Sequence, residues 1–234
     1  MKYSRSGSGR FGQRLFFTVD EIDRLCVDAL KKAKLLPSVP EPIRIDRFVE
    51  TYFECPLEYK DLGEGVLGCT QFNQKGAVVL ITISDTSDTS APGERRLRST
   101  IAHEAGHGLM HASLFIEDGR QQEMIGDNVD LENRRILCRQ SDVGAAKAKS
   151  YDGRWWEWQA NRAIGGLLLP KQLLSASLES LLTKSSVLGV ETLPEASRRA
   201  AAARIAATFE VNPIVAQIRL DEIFPEKLQH QMSL

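Results

Sequence analysis

The sequence predicts an α+β fold: mainly helical, with one small antiparallel β-sheet and a C-terminal helical lobe. Three observations carry this. Apolar residues repeat at helical spacing over most of the chain, one block from Pro56 to Ser84 has the β-branched texture of strands instead, and the stretch after Pro170 returns to helix. At 234 residues, 42% of them apolar, the chain can bury a core in one domain. That domain is placed at residues 15–234, behind a polar, glycine-rich flexible arm at residues 1–14.

The first helix opens at Thr18, an N-cap with Glu21 three residues on, and Ile22, Leu25, Cys26 and Leu30 form its apolar stripe. Prolines 37, 40 and 42 stop it, and "IDRFVETYF" reads as a second, shorter helix. From Pro56 to Ser84, "LEYKDL", "GVLGCTQF" and "AVVLITIS" are strand runs parted by the turn signals "GEG" and "NQKG", an antiparallel meander. After the loop "SDTSDTSAPGE", residues from Glu94 to about Ser113 place Leu97, Ile101, Ala105, Gly108 and Ala112 on one stripe of a long helix. Sheet and long helix together span about residues 45–115.

Residues 117–153 are polar and charged, an excursion in which one short helix is expected at Leu131–Cys138. A helix over 154–169 carries "WWEWQANRAIGGLLL" and ends at Pro170. In the closing lobe, residues 170–234, "PEASRRAAAARIAATFE" and "NPIVAQIRLDEIF" are two helices across a tight turn, with Asn212 as N-cap and Pro213 in the first helical position.

A net charge of -1 with 26% charged residues gives no global field to attract nucleic acid or an anionic membrane. No apolar run is long enough to span a bilayer and the N-terminus lacks the apolar stretch of a secretory signal, so the expected compartment is the cytoplasm. Cys26, Cys55, Cys69 and Cys138 are widely spaced with no C-x-x-C, which reads as free buried thiols rather than a disulfide framework or a thiolate metal site.

The chemistry concentrates in "TIAHEAGHGLMHA", where three of the four histidines fall within nine positions. His103, Glu104 and His107 form H-E-x-x-H. Residues four apart on a helix lie on one face about 6 Å up the axis, so both imidazoles can reach one ion while Glu104, turned about 100° away, stands beside it as general base. Zinc suits such ligands, and an open position would hold a water to attack a peptide carbonyl. His111 continues the row but lies about 12 Å along the axis from His103, too far to share its ion, and is assigned to packing or to support behind the ligands. The third ligand is expected to be an acid. Glu157 shares a helical face with Ala160, Ile164 and Leu168 between Trp156 and Trp158, and a carboxylate on an apolar stripe is costly without a partner such as zinc. Asn161, one turn on, is placed to hydrogen-bond a ligand.

With "STIAHEAGHGLMH" followed by "EWQANRAIGGLLLP", the chain resembles the ImmA/IrrE family of zinc metallo-endopeptidases from about Ile45 to Phe224. The resemblance implies a zincin-like domain with one Zn2+ per chain, held by His103, His107 and Glu157, with Glu104 as general base and Asn161 matching the family's Asn or Asp. It implies a cytoplasmic protein substrate of the helix-turn-helix repressor class, drawn from a mobile element or stress response. It also implies a sheet edge that takes the peptide as an added strand, here "AVVLITIS". Forty-nine residues separate His107 from Glu157, a longer excursion than expected, which points to a lid or recognition segment. For the group that stabilises the oxyanion, Tyr151, Arg154 and His111 all stay open.

The competing reading is a metal-containing regulatory or DNA-binding module using the helix-turn-helix-like segment "RRAAAARIAATFEVNPIVAQIRLDEI", residues 198–223. Its second helix sets Gln217 and Arg219 against Asp221 and Glu222, which weighs against nucleic acid as a partner and for structural support.

Overall fold

The computed structural model describes residues 2–4, 14–85, 88–115, 129–130, 134–139, 155–184 and 191–225. Among them the architecture is α+β. The outermost feature is a two-stranded antiparallel pair, β1 (Lys2–Ser4) with β2 (Arg14–Phe16), so part of the expected arm is paired backbone. Helix α1 (Val19–Lys32) follows, with its capping box complete: the Thr18 hydroxyl accepts from Glu21 N–H and the Glu21 carboxylate accepts from Thr18 N–H. Helix α2 (Ile45–Phe53) has the bounds its sequence suggests.

Strands β3 (Leu57–Lys60), β4 (Val66–Phe72), β5 (Val78–Ser84), β6 (Val129–Asp130) and β7 (Arg135–Arg139) make one sheet, in the order β3-β5-β4-β7-β6. This corrects three expectations. The sheet is mixed, because β3 lies parallel to β5 while the other pairs are antiparallel. The segment "AVVLITIS" is not an edge. Ile81 and Ile83 are 0% and 1% exposed, and so apolar a strand goes to the interior of the sheet, between β3 and β4. In place of the helix expected around Leu131–Cys138, the described residues hold a strand: Arg135–Arg139 alternates, burying Ile136 and Cys138, and pairs with β4.

Helix α3 (Ala91–Met110) ends three residues before Ser113 and starts three before the expected Glu94, since Ser90 accepts from Gly93 N–H and Pro92 fits the first turn. Helix α4 (Trp155–Leu168) packs along α3 and α1, and its end at Pro170 leads into α5 (Lys171–Leu178), which the sequence reading left unassigned. A small pair, β8 (Thr183–Lys184) with β9 (Glu191–Thr192), precedes α6 (Glu195–Thr208) and α7 (Pro213–Ile223), the expected C-terminal pair. The core runs between sheet and helices through Ile22, Leu30, Phe48, Ile136, Leu167 and Leu168, none more than 1% exposed. No described helix is long and apolar enough to cross a membrane.

In α7, Arg219 is 1% exposed and bound to Asp23, Glu222 and the Leu169 carbonyl. The arginine that a DNA-binding reading would turn to phosphate is part of the core. The proposed lid over 117–153 lies largely outside the described residues, as do Tyr151, Arg154 and His230.

Candidate metal centre

The centre is built where α3 passes α4. His103, Glu104 and His107 are all 0% exposed, and one helical turn brings the Nε2 atoms of His103 and His107 to 3.0 Å. The approach of α4 depends on Gly106, where a Cβ would lie 2.7 Å from the Ala163 Cβ and 3.2 Å from the Ala160 Cα. With no side chain in the way, α4 comes close enough for Glu157 to join. Its Oε2 is 3.2 Å from His103 Nε2 and 3.7 Å from His107 Nε2. The ligand atoms of the three residues lie within 4.8 Å of one another.

These separations suit a cation. Donors about 2 Å from a tetrahedral zinc ion stand about 3.3 Å apart, and the three pairs here are 3.0, 3.2 and 3.7 Å. The donor chemistry agrees. His103 Nδ1 is 3.1 Å from Asn161 Oδ1, and an amide oxygen only accepts, so the ring proton sits on Nδ1 and the Nε2 lone pair points at Glu157. Glu157 is 4% exposed, and neither of its oxygens has a hydrogen-bond donor among the described residues. Acceptors that converge in a buried site call for a proton or a metal ion between them.

The protein alone meets that demand with a proton. Burial would lower the His103 pKa, but Cys138 and Glu157 beside it raise it well above the usual imidazole range. Burial would raise Glu157, but His107 and His103 hold its carboxyl well below the usual carboxylate range. A divalent cation would take the position of that proton.

Glu104 is not in the group with His107 and Glu157, but its carboxylate also lies near His103 and Cys138. The Thr70 hydroxyl on β4 donates to its Oε2 at 2.6 Å. Its Oε1 lies over Gly68, also on β4, where a Cβ would be 2.5 Å away. The Glu104 side chain is thus clamped against the sheet by one residue and given room by another.

Cys138 and Gln159 join the site without having been expected there from sequence. Cys138 on β7, register partner of Gly68, offers its Sγ within 4.8 Å of ligand atoms of His103 and Glu104. Burial pushes this thiol up to about 11, with His103 opposing. His111 Nδ1 lies 2.9 Å from His107 Nδ1, and His111 Nε2 lies 3.0 Å from Gln159 Oε1. His111 therefore stands between His107 and Gln159. Burial and neighbouring His107 lower its pKa to about 3, which keeps it neutral. The H-x-x-x-H-x-x-x-H row was the available signal for this contact. Trp155 and Trp156 are 3% and 4% exposed and wall the site, Trp155 edge-on to His111. All four cysteines are free and buried, as expected.

In comparisons with known proteins, no protein-family model and no curated protein matches the chain. What the molecule itself defines is an α+β fold with a buried His/His/Glu group able to hold a metal ion.

Proposed function

We propose that the chain is a zinc-dependent endopeptidase of the ImmA/IrrE type with a zincin-like fold. The observation that carries this reading is the convergence of His103, His107 and Glu157 at zinc-like spacing, with the Glu104 carboxylate beside His103 and bonded to Thr70. A zinc ion held there would supply a Lewis acid that polarises a peptide carbonyl and makes a water easier to deprotonate.

The rest falls to the chain's own residues. Glu104 takes the proton from the attacking water and returns it to the amine that leaves as the peptide bond breaks. Because Oε2 is engaged by Thr70, Oε1 is the atom that carries the proton. Asn161 orients His103, and the tryptophan wall keeps bulk water from the site, which strengthens the electrostatics inside. The substrate in this reading is a cytoplasmic protein, a repressor of the helix-turn-helix class. With β5 internal, the strands open to an added peptide among the described residues are β3 and β6.

The test uses a peptide library of broad sequence coverage, read by mass spectrometry, with zinc measured on the same samples. The parent protein is expected to carry one zinc per chain after reconstitution and to cleave. Chelation should stop cleavage and zinc should restore it. Glu104→Gln should keep its zinc and lose at least about 10²-fold in rate. A parent that takes up no zinc, or a Glu104→Gln protein as active as the parent, would overturn the reading.

A further inference from the structure

The two histidine ligands are oriented by different means. His103 hands its Nδ1 proton to an amide oxygen directly. His107 faces another imidazole, whose Nδ1 could either give or take a proton. With a donor at His111 Nδ1, His107 would have to carry its own proton on Nε2, pointing into the centre and blocking a metal. With an acceptor there, His107 presents a lone pair. The choice is made one residue further out: Gln159 Oε1, 3.0 Å from His111 Nε2, only accepts. It fixes the His111 proton on Nε2, leaves His111 Nδ1 as acceptor, and so sets the His107 proton on Nδ1.

We infer that Gln159 and His111 are a positioning pair that dictates the tautomer of His107 and thereby keeps its Nε2 free to bind the metal. The inference rests on the metal-centre reading above. Its surroundings fit the role: His111 and Gln159 are both 0% exposed, so water cannot substitute for either partner, and Trp155 holds the His111 ring edge-on at 5.5 Å between centroids. Helix α4 therefore supplies the third ligand, Glu157, and the orienting groups for both histidines, Asn161 and Gln159, within two turns.

The experiment measures zinc affinity by chelator competition and the tautomers of the zinc-loaded protein by long-range 1H–15N correlation, tractable with four histidines in the chain. Gln159→Met removes the acceptor at similar volume. It is expected to bind zinc about 10- to 100-fold more weakly, to show mixed tautomers at His107 and His111, and to leave the melting temperature of the zinc-free protein near the parent's. His111→Phe should lose affinity to at least the same degree. His111→Asn places an amide oxygen where Nδ1 stood, and should restore affinity to within a few-fold of the parent, even combined with Gln159→Met.

If Gln159→Met binds zinc like the parent with His111 still protonated on Nε2, the pair has no such role, although the metal centre stands. If His111→Asn is as weak as His111→Phe, the ring matters only for packing, and the inference is again overturned. A parent that binds no zinc removes this inference together with the metal-centre reading. Should Gln159→Met fail to fold, the contrast of His111→Phe with His111→Asn decides alone.

Discussion

Two buried polar clusters line helix α4, and they differ in how their charges are met. At its C-terminal half, Arg219 is enclosed by Asp23 at 2.9 Å, Glu222 at 3.2 Å and the Leu169 carbonyl at 3.2 Å. Arg162 adds a second ion pair to Glu222. Cations and carboxylates are both present, and the cluster closes on itself. At its N-terminal half, His103, His107 and Glu157 turn their ligand atoms toward one another, and among the described residues the positive charge they share is a proton. A buried polar group that is complete in itself serves the fold, whereas one whose acceptors converge on a common point has room to take a cation.

The sharpest way to break that contrast is to remove one carboxylate from the open cluster. Losing one of three ligands in Glu157→Ala is expected to weaken zinc on the order of 10³-fold or more. At zinc set to about 1,000 times the parent's Kd, bound metal would stabilise the parent by about 4 kcal/mol and the variant by less than about 0.5 kcal/mol. Thermal unfolding with and without zinc reads both. If Glu157→Ala gained as much from zinc as the parent does, the centre would have a different third ligand.

The closed cluster should respond the opposite way. Arg219→Ala strands the Asp23 carboxylate, leaves Glu222 to Arg162 alone, and is expected to cost about 3 kcal/mol, the low end for a broken buried pair because Asp23 keeps 21% exposure. Zinc per folded chain should be unchanged. Denaturant unfolding checks the first number and elemental analysis the second. A large loss of zinc at normal stability would mean the two clusters are coupled along α4.

What could be read from the sequence follows the same division between local and distant geometry. His103, Glu104 and His107 were legible because the spacing that makes a helix also sets their directions. Glu157 and Asn161 were legible because a carboxylate and an amide on an apolar stripe need a buried partner. The capping box at Thr18 and the bounds of α2 are local for the same reason. The parallel β3, the interior place of β5 and the strand at Arg135–Arg139 depend on pairing between distant segments, which no periodicity encodes. Gln159 and Cys138 were missed on that ground too. Each becomes part of the centre only once α3, α4 and β7 are packed.

Gly68 gives the finest probe of the comparison, because it separates the base from the ligands. In Gly68→Ala the new Cβ would sit 2.5 Å from Glu104 Oε1 and 2.9 Å from its Cγ and Cδ. Both are closer than real contacts allow, so the Glu104 side chain must swing away and give up its bond to Thr70. The ligands do not share this contact. Zinc binding should therefore stay within a few-fold of the parent, and the cost to stability should be only the lost hydrogen bond, about 1 kcal/mol. Cleavage should still fall by about 10²-fold, as expected when a reacting group is misplaced by about 1 Å. Thr70→Val, which removes the bond without the clash, should fall less. Equal activity in Gly68→Ala and parent would show that Glu104 does not work from the position the sheet gives it.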